Sequence, residues 1–150
     1  MPVKVTKSLT LKTLIPDMRK SLFNSKVNSA IKEEIIDHIE SGRSPVKGER
    51  FKRYSDSYSK LKGRRRPVDM LVTGTMLRSL QVKSTKSSFV IAFTNKIARI
   101  HNDVGAGLSR VVRRLLPTRR GERFAVGIAN KIRKAAEAAV GKAVKKQNRR

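Results

Sequence analysis

From Met18 onward the chain places apolar residues at three- and four-residue steps: Met18, Leu22, Phe23, Val27, Ala30, Ile31, Ile35 and Ile39. That spacing lays one apolar stripe along a helix. It predicts an amphipathic helix that starts at Pro16-Asp17, runs to about Ser41 with a break near Asn28, and stops at Gly42. A second stripe, Phe124, Ile128, Ile132, Ala135, Ala136, Ala139 and Ala143, predicts a C-terminal helix whose small apolar face can lie close to another surface. Between them the period drops toward two. Residues 81–85 and 88–95 read as two strands around Lys86-Ser87, a tight hairpin without the Asn-Gly or Asp-Gly signal. A further strand is expected at Val68–Thr73, a turn at Gly74 into one apolar helical turn, and a short helix from Ile97 to Val104 that ends at Gly105. Residues 2–14 alternate loosely, Val3, Val5, Leu9 and Leu11 against Lys4, Thr6, Thr10 and Lys12, so 1–15 reads as an extended arm.

The segment 42–67 breaks both periods. Between Gly42 and Arg66 it holds ten basic and two acidic residues among Gly, Ser and Pro, the composition of a basic loop. Phe51, Tyr54, Tyr58 and Leu61 still fall at three- and four-residue intervals, so part of it can dock as a short helix. One domain of 150 residues fits this pattern, with a basic tail at 147–150 expected to be frayed and solvated.

Charge changes the picture most. Thirty-six Lys and Arg against eleven Asp and Glu give a net charge of +25, a self-repulsion that a polyanion or an acidic partner relieves. A sequence-nonspecific nucleic-acid binder is one reading of such a balance. The charge is also segregated. Glu33, Glu34, Asp37 and Glu40 put four of the eleven acids on one helix, while residues 108–150 hold fourteen Lys and Arg against two acids. With no cysteine there are no disulfides, thiolate metal sites or thiol chemistry. No apolar run approaches the ~20 residues of a membrane span, and the N-terminus does not read as a signal peptide.

Candidate chemistry is sparse. His38 lies beside the acidic helix face, where a solvated or salt-bridged imidazole is expected. His101-Asn102-Asp103 sets an imidazole near a carboxylate with Ser109 following, but no G-x-S-x-G elbow accompanies it. Four acids spread over two helical turns fit charge balance, or pairing with Arg or Lys of a neighbouring subunit, better than a metal cage. Thr73-Gly74-Thr75 lacks the second glycine and the lysine of a phosphate loop. Phe51, Tyr54, Tyr58 and Lys62 interleave aromatics with charge, a pattern that can stack bases or meet a partner. Arg64, Arg65 and Arg66 are candidate DNA-facing residues. No acid, base and nucleophile converge, so no enzyme, cofactor or metal is expected.

The middle and end of the chain resemble the virion-morphogenesis, or tail-completion, proteins of the neck of tailed bacteriophages. The resemblance is carried in order by F-K-R-Y-S-D-S-Y-S-K-L-K-G at 51–63 and P-V-D-M-L-V-T-G-T-M-L-R-S-L at 67–80. The hairpin follows, then Ala98, His101 and Gly105, then the arginine-rich L-P-T-R-R-G-E-R-F-A-V-G-I leading into the last helix. It covers about residues 20–140 and departs where the family often has Arg-Pro-Phe, here Arg123-Phe124.

The resemblance implies a small α+β fold, an antiparallel sheet packed by two long helices with an extended loop. It implies a structural virion protein, assembled in the host cytoplasm, that forms a homo-oligomeric ring of six or twelve copies around the DNA channel. Its partners would be portal or adaptor proteins, tail proteins and the genomic DNA, with no membrane. Expected interface residues are Glu33, Glu34, Asp37, Phe51, Tyr54, Tyr58, Lys62, Arg119 and Arg120, with Gly74 and Gly105 as structural turns.

Overall fold

The computed structural model describes residues 11–61, 63, 74–86, 88–105 and 111–149. The fold is α+β. Its elements in chain order are α1 (Leu11–Leu22), α2 (Ser25–Glu40), α3 (Asp56–Leu61), α4 (Thr75–Arg78), β1 (Leu80–Ser84), β2 (Phe89–Phe93), α5 (Lys96–Arg99), a π-helical turn (Ile100–Val104) and α6 (Val126–Asn148). The expected strand at 68–73 lies outside the described residues, as do Lys62, Arg64, Arg65, Arg66 and residues 1–10 of the arm.

Helix α2 is the spine. Val27, Ile31, Ile35 and Ile39 repeat every fourth residue and are all buried, Ile35 and Ile39 completely. Each such side chain contributes about 1.5–3 kcal/mol on leaving water. They pack with Leu80, Met76, Leu77, Ala98, Leu115, Phe51, Ile128 and Ala139 into one aliphatic core. The break before α2 falls at Phe23-Asn24 rather than near Asn28. Asn24 is the N-cap, its side-chain oxygen accepting from the backbone N–H groups of Lys26 (2.9 Å) and Val27 (3.1 Å). At the far end Gly42, with φ +79°, terminates the helix as expected.

The N-terminal expectation needs correction. Residues 11–15 belong to α1, not to an extended arm. Pro16 sits inside this helix, at a cost in hydrogen bonding of ~3 kcal/mol, and α1 packs along α6, as does α2. Tertiary contact overrides the local alternation. The tail is corrected too, since α6 continues to Asn148, past the start of the tail expected at 147. Lys145 and Lys146 in its last turn suit the negative end of the helix dipole.

β1 and β2 form an antiparallel pair in the register Leu80↔Phe93, Val82↔Ile91 and Ser84↔Phe89. These six side chains face the helices, while Gln81, Lys83, Val90 and Ala92 face out. The turn lacks a favoured dipeptide and is tied instead by Thr85 and Ser88. The Thr85 N–H donates to the Ser88 carbonyl (2.8 Å), and the Ser88 N–H donates to Thr85 Oγ1 (3.1 Å). Phe23 stacks at a tilt on Phe89, ring centroids 4.9 Å apart, anchoring the hairpin to the α1–α2 junction.

Candidate functional site

The first part of the basic segment after α2, residues 43–51, does not reach outward as a loop. Arg43 and Arg50 form an isolated bridge, the Phe51 N–H donates to the Gly42 carbonyl (2.8 Å), and Ser44, Pro45, Val46 and Phe51 are buried. Phe51 therefore belongs to the core and is neither an interface nor a base-stacking residue. Tyr54 and Tyr58 stay near it, half-buried, in an edge-on pair with centroids 4.8 Å apart. The Arg113 guanidinium lies over the Tyr54 ring at 5.2 Å, so this aromatic pair is already engaged within the chain.

That arginine opens the most organised polar region among the described residues, the segment 111–125. Arg113 and Arg114 are 5% and 8% exposed, among the most buried charged residues described. The Arg113 N–H donates to the His101 carbonyl (2.7 Å), and its guanidinium donates to the Lys52 carbonyl (3.2 Å). Arg114 reaches the Asn102 carbonyl, Asp103 Oδ1 (3.2 Å), Thr118 Oγ1 (3.2 Å) and the Glu122 carboxylate. The Arg114 carbonyl in turn accepts from Ser44 Oγ (2.8 Å).

Asn102 is the hub. Its Oδ1 accepts from the N–H groups of Leu115 (2.7 Å) and Leu116 (3.0 Å), and its Nδ2 donates to Asp103 Oδ1 (2.8 Å) and Thr118 Oγ1 (3.1 Å). All four polar positions of the amide are thus used, which only an Asn at this place can do. Asn102 is presented by the π-helical turn, which Gly105 closes at φ +91° with its N–H on the Ile100 carbonyl (2.7 Å). Gly74, at φ +69°, begins α4, and a Cβ there would meet the Arg78 guanidinium at 2.9 Å. Both glycines serve as the turns expected of them.

The purpose of this knot is visible at Pro117–Arg123. Glu122 accepts from the backbone N–H groups of Thr118 (3.1 Å) and Arg119 (3.0 Å), and Gly121 takes φ +85°. The turn is fixed from below, and Arg119, Arg120 and Arg123 project from it, exposed, with no ion pair to a described carboxylate. Burial raises the Glu122 pKa, but the Arg114 hydrogen bond and charge and the two backbone N–H groups outweigh it. Its carboxyl is held below the usual range.

On α2 the acids divide. Glu34 is paired inside the chain with Lys131 of α6 (2.6 Å), so it is not free for a neighbouring subunit. Glu33, Asp37 and Glu40 follow one exposed line and make no ion pair with a described cation. His38, beside them, is half-buried and makes no ion pair with a described acid. Its Nε2 is buried without a partner, and burial, reinforced by Arg43 and Lys131, lowers its pKa despite Glu34. His101 is also lowered, by burial and then by Arg113. Its supposed partner Asp103 is occupied by Arg114, Asn102 and Thr118, so no imidazole–carboxylate pair forms. Ser109 lies outside the described residues.

Sequence reasoning placed Arg119 and Arg120 at the surface and missed Asn102, Arg113, Arg114, Thr118 and Glu122. A signal was present. Val111-Val112-Arg113-Arg114-Leu115-Leu116 sets two cations inside an apolar run, a pattern that requires buried partners. Among the described residues no group of acids and histidines could hold a metal ion, and no helix is long and apolar enough to cross a membrane. No protein-family model, curated protein or solved structure matches the chain.

Proposed function

We propose that the chain is a structural subunit of a tailed-bacteriophage neck, a tail-completion protein that assembles into a ring between head and tail around the DNA channel. One observation carries the reading: Glu33, Asp37 and Glu40 stand exposed and unpaired with any described cation in a chain of net charge +25, while a braced turn offers Arg119, Arg120 and Arg123. Within one copy these opposite charges do not meet. A head-to-tail contact, in which the turn of one subunit meets the α2 line of the next, pairs them and closes a ring. Ile97, Ile100 and Val104 form an exposed apolar line along α5 and the π-helical turn, which supplies dry contact area that charges alone do not. The resemblance of residues 20–140 to neck proteins supports the same role, and the polar knot serves to hold a contact surface in shape.

The test is assembly. Negative-stain images and light scattering of the full chain are expected to show closed rings. The triple reversal E33K/D37K/E40K should leave monomers, and combining it with R119E/R120E/R123E should restore rings. A wild-type chain that stays monomeric and is missing from purified virions overturns the proposal.

A further inference from the structure

Helix α6 carries most of its free charge on one side, with Lys146 beside it. Lys134, Lys142 and Lys145, with Arg149 just past the last turn, are exposed and make no ion pair with a described carboxylate. At about 100° per residue they fall with Lys131 in a sector roughly 80° wide, about a third of a turn from the buried Ile128, Ala139 and Ala143. From Lys131 to Arg149 the line is about 27 Å long.

Two features set this line apart from an ordinary solvated face. Such faces interleave acids with bases at i, i+4, as Arg133 and Glu137 do elsewhere on this helix at 3.8 Å. The line has no acid of its own helix, and of its members only Lys131, at one end, is paired, with Glu34 of α2 at 2.6 Å. Lys142 and Lys145, and Lys145 and Arg149, are instead like-charged neighbours that weaken the free helix. The dipole at the C-terminus favours Lys145 and Lys146, but Lys134 stands more than three turns away, beyond its reach.

The second feature is the small residues beside the line, Gly127, Ala138 and Gly141. A Cβ at either glycine would meet nothing within 4 Å, so packing inside the chain does not require them. Glycine within a helix lowers its stability, and here it leaves the backbone open to close approach from outside.

We infer that this face of α6 is a docking surface for the phosphate backbone of duplex DNA, with Lys134, Lys142, Lys145 and Arg149 as the phosphate contacts. The row of unopposed cations selects a polyanion, and small residues let a sugar–phosphate strand lie near the helix. The choice of duplex DNA among polyanions rests on the neck reading, in which DNA fills the channel. The inference names the surface turned toward it.

Fluorescence anisotropy of a labelled DNA duplex with the full chain, titrated across a salt series, tests it. Two variants with the same change in net charge are compared: K134Q/K142Q/K145Q/R149Q on the line, and K47Q/K83Q/K86Q/K96Q elsewhere. All eight residues are exposed, and circular dichroism checks that both variants keep the wild-type helix content. The line variant should bind roughly tenfold or more weakly at moderate salt, with the slope of log affinity against log salt reduced by roughly 3 to 4. The K134R/K142R/K145R variant should keep both. Equal losses in the two glutamine variants overturn the inference, as does tighter binding to duplex RNA or polyglutamate than to DNA. Rings that form normally alongside such a result would leave the neck reading standing, so the two fail separately.

Discussion

Arg113-Arg114 and Arg119-Arg120 are the same dipeptide, six residues apart, and the fold treats them in opposite ways. The first pair is buried: Arg114 donates to Asn102, Asp103, Thr118 and Glu122, Arg113 donates to the Lys52 carbonyl and lies over Tyr54, and only the Nε of each is left buried without a partner. The second pair is exposed, and neither guanidinium makes an ion pair with a described carboxylate. A buried cation is tolerable only when paired and hydrogen-bonded, and cutting one partner leaves the others stranded. An exposed one contributes little to stability and keeps its charge for something outside. Identical chemistry therefore yields scaffold in one place and contact surface in the other.

Breaking the scaffold half should give the largest effect. R114M strands Asp103 and Glu122 in partly buried positions and is expected to cost about 3–5 kcal/mol, read by urea unfolding. A domain of ordinary stability has about 5–15 kcal/mol in total, so a large unfolded fraction should follow. N102A comes next. It removes the acceptor for the Leu115 and Leu116 N–H groups, and should cost roughly 2–4 kcal/mol by the same measurement.

Acid sharpens the comparison. The Glu122 carboxyl titrates lower in the folded chain than in the unfolded one. Its contribution is complete above the ordinary carboxylate range, and is lost as pH falls through the depressed folded value. Thermal unfolding of E122Q should therefore depend less on pH below about pH 4.5 than the wild type does. His38 and His101, both lowered by burial, add a separate loss of stability that begins as pH falls through about 6.5. R119Q/R120Q should be the quietest change, within about 0.5 kcal/mol of wild type in unfolding. A stability loss from it as large as that of R114M would erase the distinction between the two pairs.

How much of this was legible depended on whether the cause was local. The hairpin was placed to within two residues, because Phe89-Val90-Ile91-Ala92-Phe93 carries its own strand pattern. The end of α2 was set by Gly42, a local stop. The break before α2 was misplaced although Asn24 is a good cap, because the apolar stripe runs past it unbroken. Helix α1 was hidden because Pro16 argues against it and only packing on α6 outweighs that. The burial of Arg114 depends on partners from three stretches of chain, Ser44, Asn102-Asp103 and Thr118–Glu122, and no local pattern marks them as its partners. The exposure of Arg119 and Arg120 needs no partner, and it agrees with the surface place that the resemblance implies for them.

The distance of Ser44 from the other partners bears on timing. Ser44, Asn102, Asp103, Arg114, Thr118 and Glu122 must all be in place before the turn above them has a fixed shape. Ser44, 70 residues before Arg114, is the distant member, and a contact of that span forms after the local helices and the hairpin. An unfinished or half-folded chain thus has its arginines but not their arrangement. Only a completed subunit presents the surface that another copy can recognise, which makes this tie a checkpoint on the order of events.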